Sequence, residues 1–212
     1  MTRLNAFDAI APFYDVLART VFGEGIRDAQ RRYLSLIKPG GKILILGGGT
    51  GWILPAITSI APACEVWYIE ASSGMLKLAK KRLEGRCNNI HFVHGTEADI
   101  PEGTSFDAIV TNFYLDLFSS TEISVVAATL AGCLSDEGVL LVSDFVSEKW
   151  WHRRLLSIMY FFFHLSCGID NRRLPDWRSA MLELGMEERR AAQFSSGFIV
   201  SAAYYRRLRM VS

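Results

Sequence analysis

Gly47, Gly48, Gly49 and Gly51, interrupted only by Thr50, follow directly on the aliphatic run Ile43–Leu46, and nineteen residues beyond Gly51 stands an acid, Glu70. Glycine lacks a Cβ, so it takes positive φ without strain and lets a ligand lie directly on the main chain. A carboxylate about 20 residues after such a turn is at the offset from which it grips a ribose diol. Together the two features predict a nucleoside-containing ligand. Counted from Gly47 the spacing reads GxGxG, and Trp52 stands where the third glycine of the dinucleotide fingerprint GxGxxG would fall. No GK[ST] follows, which argues against a triphosphate cradle. Cys64, Cys87, Cys133 and Cys167 are scattered without a CxxC pair. His91 and His94 are three apart in an expected strand and so face opposite sides of it, and no metal site is predicted.

The elements that must position this turn are legible as seven apolar bursts: KILIL, EVWYIE, NIHFVH, FDAIVTNF, GVLLVSDF, GMEERRAAQF and GFIVSAAYYRR. Continuous hydrophobic strands separated by helix-length segments indicate parallel strands covered on both faces. The last two bursts are separated only by SSG, which reads as a hairpin. The expected fold is therefore α/β and Rossmann-like, a doubly wound, mostly parallel seven-stranded sheet ending in an antiparallel carboxyl-terminal hairpin. Helix punctuation agrees. SSGMLKLAKKRLEG offers a serine cap at Ser72 or Ser73, an apolar face of Met75, Leu76, Ala79 and Leu83, and a stop at Gly85, while PDWRSAMLELGM offers Asp176 as cap and Gly185 as stop.

The 212 residues suit a single domain, divided here into a helical amino-terminal cover (1–40), a ligand-binding core (41–146) and an aromatic lid segment with the terminal hairpin (147–212). With 23 basic and 22 acidic side chains, no whole-chain field recruits nucleic acid, and the expected partner is a small molecule. The amino terminus lacks the apolar core of a secretory signal, and the aromatic-rich uncharged run 155–169 is short of the roughly 20 residues a membrane span needs, so a cytoplasmic protein with no transmembrane span is expected. Peripheral contact with a membrane surface and the oligomeric state stay open.

The motifs resemble those of the class I S-adenosylmethionine-dependent methyltransferases. ILGGGTG looks like their first motif, YIEASSGMLKLAKKR like their second strand and helix, SFDAIVTNFYLDLF like their fourth strand, and CLSDEGVLLVSDF like their fifth-strand segment. The lead FDAIAPFYD is similar to the quinone-biosynthesis (menaquinone and ubiquinone) type. The resemblance implies S-adenosyl-L-methionine as cofactor. It places Gly47, Gly49 and Gly51 at its methionine part, Glu70 on the ribose hydroxyls, Ala71 and Met75 beside adenine, Thr96 and Glu97 at the adenine edge, Asn112 facing the cofactor, and Tyr14 as part of its cover. Two positions depart from the family: Ile45 stands where an acid is usual two residues before the first glycine, and Thr96 replaces an aspartate.

Methyl transfer asks for in-line alignment, exclusion of water and, where the acceptor carries a proton, a base within about 3 Å. Asp116 and His152 are the candidates for that base, with His164 a weaker third. The aromatic stretch Trp150, Trp151, Tyr160, Phe161, Phe162 and Phe163 reads mainly as core, with the remainder available to an apolar or aromatic acceptor. A nicotinamide-dependent oxidoreductase using the same sheet and ribose acid, and a non-catalytic nucleoside-binding protein, are the alternatives.

Overall fold

The computed structural model describes residues 23–83, 89–157 and 174–207. Tyr14, Gly85, Cys87, His164, Cys167 and the aromatic residues from Tyr160 to Phe163 lie outside them. Along the chain run α1 (Gly25–Arg31), β1 (Lys42–Leu46), α2 (Leu54–Ile60), β2 (Glu65–Glu70), α3 (Ser73–Arg82), β3 (Ile90–His94), β4 (Phe106–Asn112), α4 (Ile123–Cys133), β5 (Leu134–Phe145), a helix α5 over 150–157, α6 (Trp177–Glu183), β6 (Met186–Phe194) and β7 (Ile199–Arg206).

The seven strands form one sheet in the order β3-β2-β1-β4-β5-β7-β6, parallel from β3 to β5, with β7 antiparallel to both β5 and β6. The expected topology is the one observed. Strand order reverses between β1 and β4, so the carboxyl ends of these two strands flank the crevice in which an open α/β sheet takes its ligand. The central strands read as unbroken aliphatic runs because both faces are covered: Ile43, Leu44, Ile45 and Leu46 are each at most 1% exposed, and each buried side chain of this size contributes about 1.5–3 kcal/mol. Alternate residues serve opposite cores. Leu44, Leu46, Ile109, Leu140 and Val142 pack with α4 and α6, whereas Ile43, Ile45, Val66, Val110 and Leu141 pack with α2 and α3.

The caps fall where the sequence puts them. The Ser72 side chain accepts from the Met75 N–H at 3.1 Å to start α3, and Asp176 accepts from the Ser179 N–H at 3.1 Å to start α6. The α6 helix is then fixed to the sheet twice. The Trp177 indole N–H donates to the Phe145 carbonyl at 2.9 Å, and Arg178 grips Glu188 through Nη2 at 2.8 Å while the Tyr204 hydroxyl donates to the same carboxylate at 2.7 Å. The hairpin turn between β6 and β7 is a short 3-10 segment, Ser195–Gly197.

Of the aromatic stretch expected to be mainly core, only Trp150 and Trp151 lie among the described residues: Trp151 is half-buried, whereas Trp150 is 66% exposed and His152, two residues on from it, is fully buried. The cause is that α5 is amphipathic. It lays His152 and Leu156 against a third cluster formed by Ile26, Ala29, Phe145, Phe198 and Ile199, and turns Trp150 outward.

Candidate functional site

The glycine turn leaves β1 with Gly47, Gly49 and Gly51 all at positive φ, 66°, 63° and 74°. The demand for bare backbone comes mostly from the protein itself. A Cβ on Gly48 would lie 2.2 Å from the Tyr68 ring, one on Gly47 would lie 2.3 Å from the Tyr114 ring, and one on Gly51 would lie 2.7 Å from the Ala79 methyl of α3. Only at Gly49 is the space open, with Met75 Sδ the nearest atom at 3.9 Å. Three of the glycines thus let two tyrosines and a helix close on the turn, and Gly49 is the one whose Cβ side stays open.

Glu70 ends β2 and is nearly buried, at 7% exposure. Its carboxylate crosses to the turn: Oε2 accepts from the Gly49 N–H and Oε1 from the Ser72 N–H, both at 2.7 Å. One acid therefore ties the glycine turn to the start of α3. Tyr68 reinforces this by donating its hydroxyl to the Gly49 carbonyl at 2.8 Å. Gly49, Glu70 and Met75, expected to act together, are brought together. Ala71 follows, and its carbonyl accepts from His94 Nε2 at 2.9 Å. His91 lies on the other face of β3, stacked on Trp67 at 4.5 Å and 3.0 Å from Glu65.

Beyond β3, Thr96 serves its own loop, accepting from the Ala98 N–H at 3.2 Å while its N–H donates to Asp99 at 2.8 Å. Glu97 is tied to the chain after β4, because the Tyr114 hydroxyl donates to its Oε2 at 2.5 Å. Tyr114 follows β4, so its side chain reaches from that strand over Gly47 to the loop after β3. Burial and the bond to Glu97 hold its hydroxyl well above the usual phenol range. Ile45, at the position where an acid was expected, is 1% exposed and packs in the α2 and α3 core.

Backbone strain marks the end of β4. Phe113, next to Asn112, has φ of 53°, a region that bulky residues rarely adopt and that clusters at functional sites. Its N–H donates to the Ser143 carbonyl at 2.8 Å, and its ring packs on Phe145 at 4.8 Å. The chain then makes a short 3-10 turn, Leu115–Leu117, carrying Asp116. Asp144 of β5 organises this turn: Oδ2 accepts from the Leu115 N–H at 2.9 Å and the Asp116 N–H at 3.3 Å, and Oδ1 accepts from the Phe145 N–H at 2.7 Å. Both carboxyls are buried. Desolvation pushes Asp116 up to about 7, and desolvation together with the charge of Asp116 pushes Asp144 well above the usual range.

His152 stands apart from these groups. It is caged by Trp151 and Phe198, with ring centroids at 4.1 and 5.3 Å. Its Nδ1 accepts from the Lys149 N–H at 3.3 Å, which leaves the proton of the neutral ring on Nε2. Desolvation, then the charge of Lys149, lowers its pKa and favours that neutral form. Tyr68, Tyr114 and Asp144 were not read as site residues from sequence. Asp144 did carry a signal, an acid at the tip of an otherwise apolar strand; the tyrosines carried none, since only the fold brings them to the turn.

The chain is similar to known proteins over much of its length. A family model described as a methyltransferase domain matches residues 43–138. An uncharacterized methyltransferase of Staphylococcus carnosus is 31% identical over 159 residues, covering 71% of this chain and 72% of that protein. A demethylmenaquinone methyltransferase of Thermus thermophilus is 33% identical over 146 residues, covering 66% of this chain and 64% of that one. The chain thus spans a little under two thirds of the length of that quinone-pathway relative. Among solved structures, DhpI in complex with SAH superposes with a TM-score of 0.72 at 16% identity, covering 98% of this chain and 96% of that one, which shows a shared fold. With the glycine turn, the acid at the tip of β2 and the strand order in agreement, the chain belongs to the class I S-adenosylmethionine-dependent methyltransferases.

Proposed function

We propose that this protein transfers the methyl group of S-adenosylmethionine by in-line displacement to a small, largely apolar, aromatic acceptor. The reading is carried by the Glu70 carboxylate, held against Gly49 at the one point of the turn where space is open. The residues fit the cofactor. A carboxylate oxygen has more than one lone pair, so each can take a main-chain N–H and also accept from a ribose hydroxyl. Gly49 would floor the site, Glu70 would hold the sugar, Met75 and Ala71 would border adenine, and Glu97, oriented by Tyr114, would stand at its edge in place of the uncharged Thr96. Bound there, the cofactor would supply a methyl already activated on a sulfonium.

What the chain adds is placement and proton handling. After the strained exit at Phe113, the turn bearing Asp116 is tied to β5 by the Asp144 carboxylate. Asp116, whose carboxyl burial pushes up to about 7, suits a general base near neutrality. His152 suits the role less, because the nitrogen lone pair of its neutral ring already accepts from Lys149. The aromatic character of the acceptor is supported by the relatives named for quinone biosynthesis. Among the described residues no helix is long and apolar enough to cross a membrane.

The test is a thermal-shift series followed by an acceptor screen. S-adenosylhomocysteine at 100 times its dissociation constant raises stability by about 2.7 kcal/mol, and NAD leaves it unchanged. A shift with NAD and none with S-adenosylhomocysteine rejects the reading. Absence of methylated product across hydroxylated aromatics and quinols, with binding intact, rejects the acceptor class.

A further inference from the structure

Helix α5 leaves one stripe uncovered. Trp150, Arg153, Arg154 and Ser157 recur at helical spacing, are all exposed, and line a shallow depression of about 330 Å³. The Arg154 guanidinium carbon stands 5.4 Å from the centre of the Trp150 ring. The opposite side of the same helix buries His152 and Leu156, so the orientation of the stripe is fixed by packing. Among the described residues neither Arg153 nor Arg154 has a carboxylate within ion-pair distance. The sequence continues this bias: from Lys149 to Ile169 there is no Asp or Glu.

An indole prefers the boundary between water and hydrocarbon, and a guanidinium is matched in shape and charge to phosphate. We propose that α5 docks this face of the protein on an anionic phospholipid surface, with Trp150 at headgroup level and Arg153 and Arg154 on lipid phosphates. Charge selects this occupant. An apolar protein surface would bury two cations without partners, at a cost that exceeds the gain from one indole. The overall charge of +1 supplies no general attraction to lipid, so recruitment depends on this stripe. The inference stands on the helix alone and requires no particular methyl acceptor.

Cosedimentation with vesicles tests it, using the full chain and equal parts phosphatidylglycerol and phosphatidylcholine, against pure phosphatidylcholine. The protein partitions onto the anionic vesicles and is released by salt. At about fivefold per cation near an anionic surface, Arg153→Gln/Arg154→Gln lowers the partition coefficient on the order of 25-fold. Lys77→Gln/Lys81→Gln, the same charge change on exposed positions of α3, leaves it within about twofold. Trp150→Ala weakens binding, and circular dichroism of all three variants matches the parent because the altered side chains are exposed. The proposal is overturned by failure to sediment with anionic vesicles, by equal loss in the two charge variants, or by release with inorganic phosphate at matched ionic strength. Conversion of a dimer to a monomer by Trp150→Ala would likewise overturn it, assigning the stripe to a second copy of the chain.

Discussion

Replacing Asp116 with asparagine isolates the buried carboxyl pair at the end of β4 and β5. In the unfolded chain Asp116 titrates at its usual 3.8; in the folded protein desolvation moves it up to about 7, and Asp144 beside it is raised further by the charge of Asp116. Between these values the folded state binds more protons than the unfolded state. Stability is therefore greatest below the unfolded value and is lost as pH rises through about 7. For Asp116 alone the displacement corresponds to a loss on the order of 4 kcal/mol. Asparagine has the same shape and no charge, so Asp116→Asn removes this loss and the repulsion felt by Asp144. Urea denaturation followed by circular dichroism at pH 5, 6, 7 and 8, at constant ionic strength, reads the difference between variant and parent. Any packing cost of the amide is a constant offset. The expected result is that the variant gains on the parent by a few kcal/mol between pH 5 and pH 8, and that it loses methyl transfer while still binding S-adenosylhomocysteine. A difference that stays constant over that range refutes the reasoning.

The turn itself separates packing from binding. Gly48→Ala drives a methyl into the fully buried Tyr68 ring and destabilises the fold by about 1–3 kcal/mol. Gly49→Ala meets open space but a positive φ, so unfolding curves show a loss of about 1–2 kcal/mol while calorimetry shows a larger loss of S-adenosylhomocysteine affinity; the reverse order would move the ligand away from Gly49. Glu70→Gln keeps the side-chain volume but turns an amide N–H toward one of two main-chain donors, so it lowers the thermal midpoint and cuts S-adenosylhomocysteine affinity at least about tenfold, a loss of 1.4 kcal/mol or more. Unchanged affinity would place the ribose contact elsewhere. Tyr114→Phe strips Glu97 of its hydroxyl donor and costs about 1–2 kcal/mol, measured by urea unfolding.

These predictions also separate what the sequence discloses from what it withholds. The sheet was legible because the physical constraint on a central parallel strand, apolar side chains on both faces, is written locally in runs such as Ile43–Leu46, and because Ser72 and Asp176 cap their helices through neighbours three residues away. Glu70 was legible because strand and turn lengths in this fold fix its offset from the glycines. The reason for the glycines was not. Tyr68 and Tyr114 reach Gly48 and Gly47 from other strands, and no spacing rule links positions joined only by the order β2-β1-β4. The same holds for Asp144, which meets Asp116 across 28 residues. The exposure of Trp150 is not legible for a related reason, since hydrophobicity along α5 does not disclose which face meets the Phe145 and Phe198 cluster. A bare-backbone turn therefore says only that something closes on it. Here that something is protein at three positions and open space at one, and the function proposed for this chain rests on that single opening beside a buried carboxylate.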